Sequence, residues 1–162
     1  MKSYACAGLT ALLCVFPAFA AGDAGLERLA TCSDSWRDWQ KTNDPRMPVF
    51  AAHLRGDFTQ KQGDAFITPK TAMSIAGLRV LQVYPESVGM GVGFSVTIAA
   101  TFGDAKKAFE TRLGKKLAHC ETSDGMTSCE LQLGPERTFT LMSSDKPNDP
   151  QTLAGCYYYY ER

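Results

Sequence analysis

The chain reads as an α+β domain, a mostly antiparallel sheet of about five to seven strands packed with two helices and crosslinked by two disulfides. Three observations predict this. A long alternation of apolar and small residues runs from Val88 to Phe102 with the period of a strand. Asp124-Gly125 is a two-residue hairpin signal with a cysteine on either side. Two other stretches carry apolar residues at helical spacing.

The first twenty residues stand apart from the domain. Lys2 is followed by an apolar run from Tyr4 to Phe16, then Pro17-Ala18-Phe19-Ala20. A positive start, a short apolar stretch and a small-x-small ending form a secretory signal peptide, too short for a membrane span. Cys14 follows Leu13, where a lipoprotein signal wants a small residue. Residues 21–162 are then one domain, long enough to bury a core of its own. The expected destination is an oxidising compartment, most simply a bacterial periplasm. Cys6 and Cys14 leave with the signal, and Cys32, Cys120, Cys129 and Cys156 remain.

Asp23 can cap a helix running to Lys41, with Leu29, Cys32, Trp36 and Trp39 on one stripe. Asn43-Asp44-Pro45 stops it. Residues 45–70 show no clear period, because Pro45, Pro48, Gly56, Gly63 and Pro69 interrupt it. Strands begin after Ser74. Leu78 and Val80 lead to a turn at Tyr84-Pro85-Glu86-Ser87. In the long alternation, Val88, Met90, Val92, Phe94, Val96, Ile98, Ala100 and Phe102 form the core face. Gly89, Gly91, Gly93, Ser95, Thr97, Ala99 and Thr101 form a face of small residues. Its three glycines predict a kink near Gly91. Gly103-Asp104 starts a second helix with Ala105, Ala108, Phe109, Arg112 and Leu113 on one side, and Gly114 caps it.

Centring a hairpin on Asp124-Gly125 sets Cys120 opposite Cys129 at a non-hydrogen-bonded site, where Cα atoms lie about 4.5 Å apart. The same register puts Ala118, Cys120, Cys129, Leu131 and Leu133 on an apolar face, and His119 with Glu121 and Glu130 on a polar one. Cys156, in a last strand from Thr152 to Tyr160, then pairs with Cys32. That bond closes a long loop and is worth up to about 5 kcal/mol in the loop-entropy picture.

Composition excludes several functions. Without Lys2 the chain has 16 basic against 17 acidic residues, so it lacks the excess that binds nucleic acid. No further apolar run reaches the ~20 residues of a membrane span. The cysteines lack the paired short steps of a zinc site, and the two histidines are far apart, so neither a metal nor a cofactor is expected. Gly89-Met90-Gly91-Val92-Gly93 lies inside the strand pattern and is no phosphate loop. No nucleophile accompanies His53, which leaves a small hydrolase using His53 as one alternative. A small-ligand carrier using the small-residue face as a pocket floor is another.

What remains is recognition. Tyr157, Tyr158, Tyr159 and Tyr160 end the last strand, one pair turned inward and the other outward. Outward tyrosines are large, stiff and amphipathic, as recognition surfaces require. The polar loop from Ser143 to Gln151, with Asp145 and Asn148, and the stretch from Arg46 to Gly63 are further candidates. This build resembles that of small periplasmic inhibitor and immunity proteins. The expected function is a non-enzymatic exported domain that binds another protein, such as a toxin or an envelope hydrolase.

Overall fold

The computed structural model describes residues 21–41, 43–85, 91–143 and 150–159. Three helices come first: α1 (Ala21–Ala30), α2 (Trp36–Trp39) and α3 (Arg46–Asp57). Five strands follow: β1 (Phe58–Thr59), β2 (Thr68–Pro69), β3 (Ser74–Ile75), β4 (Leu78–Tyr84) and β5 (Gly91–Ala99). Helix α4 (Phe102–Leu113) leads into β6 (His119–Ser123), β7 (Met126–Gln132), β8 (Arg137–Ser143) and β9 (Gln151–Tyr159). Seven strands make one antiparallel sheet in the order β3-β4-β5-β9-β8-β7-β6, and β1 pairs with β2 apart from it. The architecture is thus two antiparallel meanders whose last strands, β5 and β9, meet at the centre.

The α+β class and the sheet agree with the sequence, but the described residues hold four helices where two are expected. The single helix expected from Asp23 to Lys41 is broken into α1 and α2. Cys32 adopts a left-handed backbone, with φ of 57°. Ser35 is extended, and its hydroxyl accepts from the Asp38 N–H at 3.0 Å, capping α2. A break frees carbonyls that need donors. The sheet supplies them: Arg137 Nη1 donates to the Cys32 carbonyl at 3.1 Å, and the Tyr158 hydroxyl to that of Asp34 at 3.0 Å. Local period favours one helix; long-range hydrogen bonds favour two.

The other unexpected helix, α3, lies in the stretch without a readable period. Pro48 is tolerated because it sits in the first turn, where backbone N–H groups have no helical partner. Phe50 is buried while its neighbour Val49 is 72% exposed, so α3 presents little apolar stripe to read.

Helix α4 follows its expected stripe, with Ala105 and Phe109 buried and Gly114 left-handed. Thr101 is its cap: the Thr101 hydroxyl accepts from the Asp104 N–H at 3.2 Å. The hairpin register is the expected one, Cys120 opposite Cys129 and His119 opposite Glu130. Asp124 and Gly125 both have positive φ, as a type I′ turn requires. Both disulfides form, Cys32–Cys156 with Cα atoms 5.1 Å apart and Cys120–Cys129 with 4.0 Å. Strand β6 is the sheet edge and exposed along its length, so Ala118 and Cys120 are exposed while Cys129 is buried.

The core lies between the helices and one face of the sheet. Phe94, Val96 and Ile98 of β5 are buried there with Phe139 and Leu141 of β8 and Cys156 of β9. Trp36 packs on Phe94 at 5.6 Å between ring centroids, and Phe109 on Phe139 at 5.2 Å. Val88 and Met90 lie outside the described residues. Pairing of β5 with β9 is unbroken from Gly91 to Ala99. The register irregularity falls instead on β4, between Val80 and Gln82.

Candidate functional site

In an antiparallel sheet, residues directly opposite each other point to the same side. The side away from Phe94 can therefore be read row by row. Gly93 lies beside Tyr157 and then Thr138. Ser95 lies beside Gly155 and then Thr140. Thr97 lies beside Leu153 and then Met142. The described helices pack on the other side, through Cys32–Cys156, Trp36–Phe94 and Phe109–Phe139.

The centre of this face is made of hydroxyls and glycines. Ser95, Thr97, Thr138 and Thr140 are nonetheless buried, Ser95 to 3% exposure. Their strands come close together at Gly155. A Cβ built there would stand 2.6 Å from the Ser95 Cβ and 2.9 Å from the Phe94 carbonyl oxygen. Only glycine fits, and the two chains converge on this side. Half-buried side chains of Tyr84, Tyr157, Leu153 and Met142 surround the small ones. The result is a row of buried hydroxyls and glycine bordered by half-buried aromatic and apolar side chains. At its β6–β7 end, His119, Glu121 and Glu130 are exposed.

The tyrosine run divides as strand geometry demands. Tyr157 is on this face. Burial pushes its phenol above the ordinary range, and a hydrogen bond with Ser95 partly offsets that. Tyr158 is on the core face and 5% exposed. Its phenol is also raised by burial, with opposing contributions from hydrogen bonding to Ser35 and from the Arg137 charge. Tyr158 therefore belongs to the core and not to an outward surface. The backbone of Tyr159 continues β9 opposite Gly91. Tyr160, Asp145 and Asn148 lie outside the described residues.

His53 sits on α3, where sequence offers no pattern. Its Nδ1 is 2.6 Å from Asp57 Oδ2. An ionised carboxylate only accepts, so Nδ1 is the donor. Its Nε2 is closed to water and has no hydrogen-bond partner, and the same holds for Nε1 of Trp36 and of Trp39. The three side chains belong to one aromatic cluster around Phe50: Trp36 is 5.7 Å away, Trp39 5.0 Å and His53 6.0 Å between centroids. A buried polar atom left without a partner costs about 1–3 kcal/mol. No group of three or more metal-binding side chains comes together among the described residues.

No family model matches the chain, and no solved structure matches it. Among curated proteins, 101 residues (62% of this chain) are 30% identical to a retrovirus-related Pol polyprotein from a type-2 retrotransposable element of Drosophila melanogaster. The chain spans about a tenth of that protein, 9% of its length. A match over so small a share of a large polyprotein assigns no family.

Proposed function

We propose that this chain is an exported, non-enzymatic domain of the bacterial periplasm that binds another protein. In its most concrete form it is an inhibitor or immunity protein that neutralises an envelope-acting toxin or hydrolase. The observation that carries this reading is the side of the sheet away from the described helices, where the half-buried Tyr157 stands beside a row of Ser95, Thr97, Thr138, Thr140 and Gly155. A rigid tyrosine beside small polar side chains suits a protein partner, since a preorganised anchor limits the entropy lost on binding. The two disulfides fit a protein that matures in an oxidising compartment, and they brace the sheet. Among the described residues no helix is long and apolar enough to cross a membrane. Closure of the His53 Nε2 favours binding over hydrolysis, since a general base must reach the proton it removes.

Affinity purification from periplasm with the wild-type chain, followed by titration of the captured partner, tests the reading. Tyr157→Ala should weaken that partner roughly ten-fold or more, as a central aromatic anchor does, and leave the chain folded. Thr140→Lys, which sets a charged chain in the row, should abolish capture. Undiminished affinity in both variants removes this face from the interface.

A further inference from the structure

The seven-stranded sheet ends at β6, a five-residue strand exposed along its whole length. The other end, β3, is only two residues long. In an antiparallel hairpin, alternate residues turn their backbone N–H and C=O toward the neighbouring strand or away from it. Cys120 faces Cys129 with Cα atoms 4.0 Å apart, the close approach of a non-hydrogen-bonded pair. Thr122 faces Thr127 two residues on, and the Thr127 N–H turns the other way, donating to Ser143 Oγ at 2.8 Å. The N–H and C=O of Cys120 and of Thr122 therefore point away from β7, along the open edge of the sheet. None of these four groups has a hydrogen-bond partner among the described residues. They form a template for one more strand.

Charge says which strand fits. Glu121 lies between Cys120 and Thr122 and points to the side away from α4, where Glu130 is also exposed. Neither carboxylate has an ion pair among the described residues. Helix α4 lies on the other side. Its Lys106 places Nζ 3.6 Å from Cys120 Sγ, while the nearby Glu110 is held by Lys116 at 2.8 Å. A strand laid along β6 would meet negative charge on one side and positive charge on the other. A charge on an edge guards it against indiscriminate pairing. An opposite charge on the incoming strand turns that guard into selection. A second copy of the chain fits poorly, because the register that uses both Cys120 and Thr122 sets Glu121 against Glu121.

We propose that the edge of β6 takes an extended segment of a partner protein, antiparallel to it, with a lysine or arginine opposite Glu121 and a carboxylate beside Lys106. This docking mode rests on the reading of the chain as a protein-binding domain but makes no use of Tyr157, so either can fail alone.

The probe is the blocked peptide acetyl-Thr-Thr-Val-Lys-Glu-Thr-Thr-amide, which sets valine opposite Thr122, lysine opposite Glu121 and glutamate opposite Cys120. Titrated into the disulfide-bonded, nitrogen-15-labelled chain, it should shift the amide signals of Cys120 and Thr122 saturably, with a Kd of about 1 mM or below. An N-methyl group on the valine or on the glutamate removes an N–H that bonds to β6 and should weaken binding roughly ten-fold. On the lysine, whose N–H points away from β6, it should cost roughly two-fold at most. Exchanging that lysine for glutamate should cost roughly five-fold, and Glu121→Lys, at an exposed position, should reverse the preference. The proposal is overturned by the absence of a saturable shift up to about 5 mM, by equal effects of the three N-methyl groups, or by a preference for lysine that Glu121→Lys leaves unchanged. It is also overturned if the same two amides shift with protein concentration alone, which gives the edge to a second copy.

Discussion

The two faces of the central sheet are both dry, yet built from opposite kinds of side chain. On one, Phe94, Val96, Ile98, Phe139 and Leu141 are large and lie beneath helices. On the other, Ser95, Thr97, Thr138 and Thr140 are small, polar and buried, with the half-buried Tyr157 and Leu153 beside them and β5 and β9 close together at Gly155. Burial alone therefore does not mark a core. The face beneath the helices holds the domain together with large apolar side chains; the other offers Tyr157 as a single aromatic anchor beside small polar ones.

The largest expected effect lies on the covered face. Phe94 is fully buried and touches both Trp36 and Phe50. Phe94→Ala should cost about 3–5 kcal/mol of stability, from lost transfer energy and the cavity left behind. Its chain neighbour Ser95 points the other way, and Ser95→Ala should cost no more than about 1 kcal/mol. Urea unfolding of the two variants compares the faces at adjacent positions. Similar losses would show that both faces carry core packing.

Gly155→Ala comes next. The added methyl would meet Ser95 and the Phe94 carbonyl at distances that backbone cannot easily relieve. A loss of about 1–3 kcal/mol is expected, the usual cost of overpacking, together with weaker partner binding because the strands beside Tyr157 shift. An unchanged melting temperature would mean that the strands are free to separate.

These two faces were not equally legible in the sequence. The covered one was written in period two: Phe94, Val96 and Ile98 alternate with small residues, and Cys120 and Cys129 are placed by a local turn. The small-residue side was visible as a set of residues, while its burial was not, because the approach of β9 to β5 joins residues far apart in the chain. Sequence divides Tyr157 from Tyr158, and the expected bond of Cys156 to Cys32 already implies which is inward, since it turns the even positions of β9 toward the helices. The break at Cys32 was hidden by distance along the chain. Its carbonyl and that of Asp34 are satisfied by Arg137 and Tyr158, more than a hundred residues away. Helix α3, and with it the setting of His53, was illegible because only Phe50 among its residues is fully buried.

Adjacent tyrosines give a milder version of the same comparison. Tyr158→Phe removes the hydroxyl that satisfies the Asp34 carbonyl, and should cost about 1 kcal/mol with no change in partner affinity. Tyr157→Phe removes a hydroxyl on the other face. It loses its hydrogen bond with the buried Ser95 and should also cost about 1 kcal/mol, but unlike Tyr158→Phe it should reduce partner affinity measurably. Reversed outcomes would mean that the two side chains have exchanged roles.

The smallest effect is expected from pH. Burial raises both phenols above 10 in the folded chain, so near that pH the unfolded chain releases protons that the folded one keeps. Stability linked to these groups is present in full below the unfolded value and declines as pH rises toward and through the folded one. Phenolate absorbance should show these two tyrosines ionising late, and Tyr157→Phe and Tyr158→Phe should each remove part of that late phase. The two phenols differ in the consequence of losing the proton. Ionising Tyr158 forces a charge against the core and should accompany loss of the fold. Ionising Tyr157 places a charge on the other face and should weaken the partner before unfolding begins. A single transition in which binding and fold disappear together would show that the two faces cannot be titrated apart.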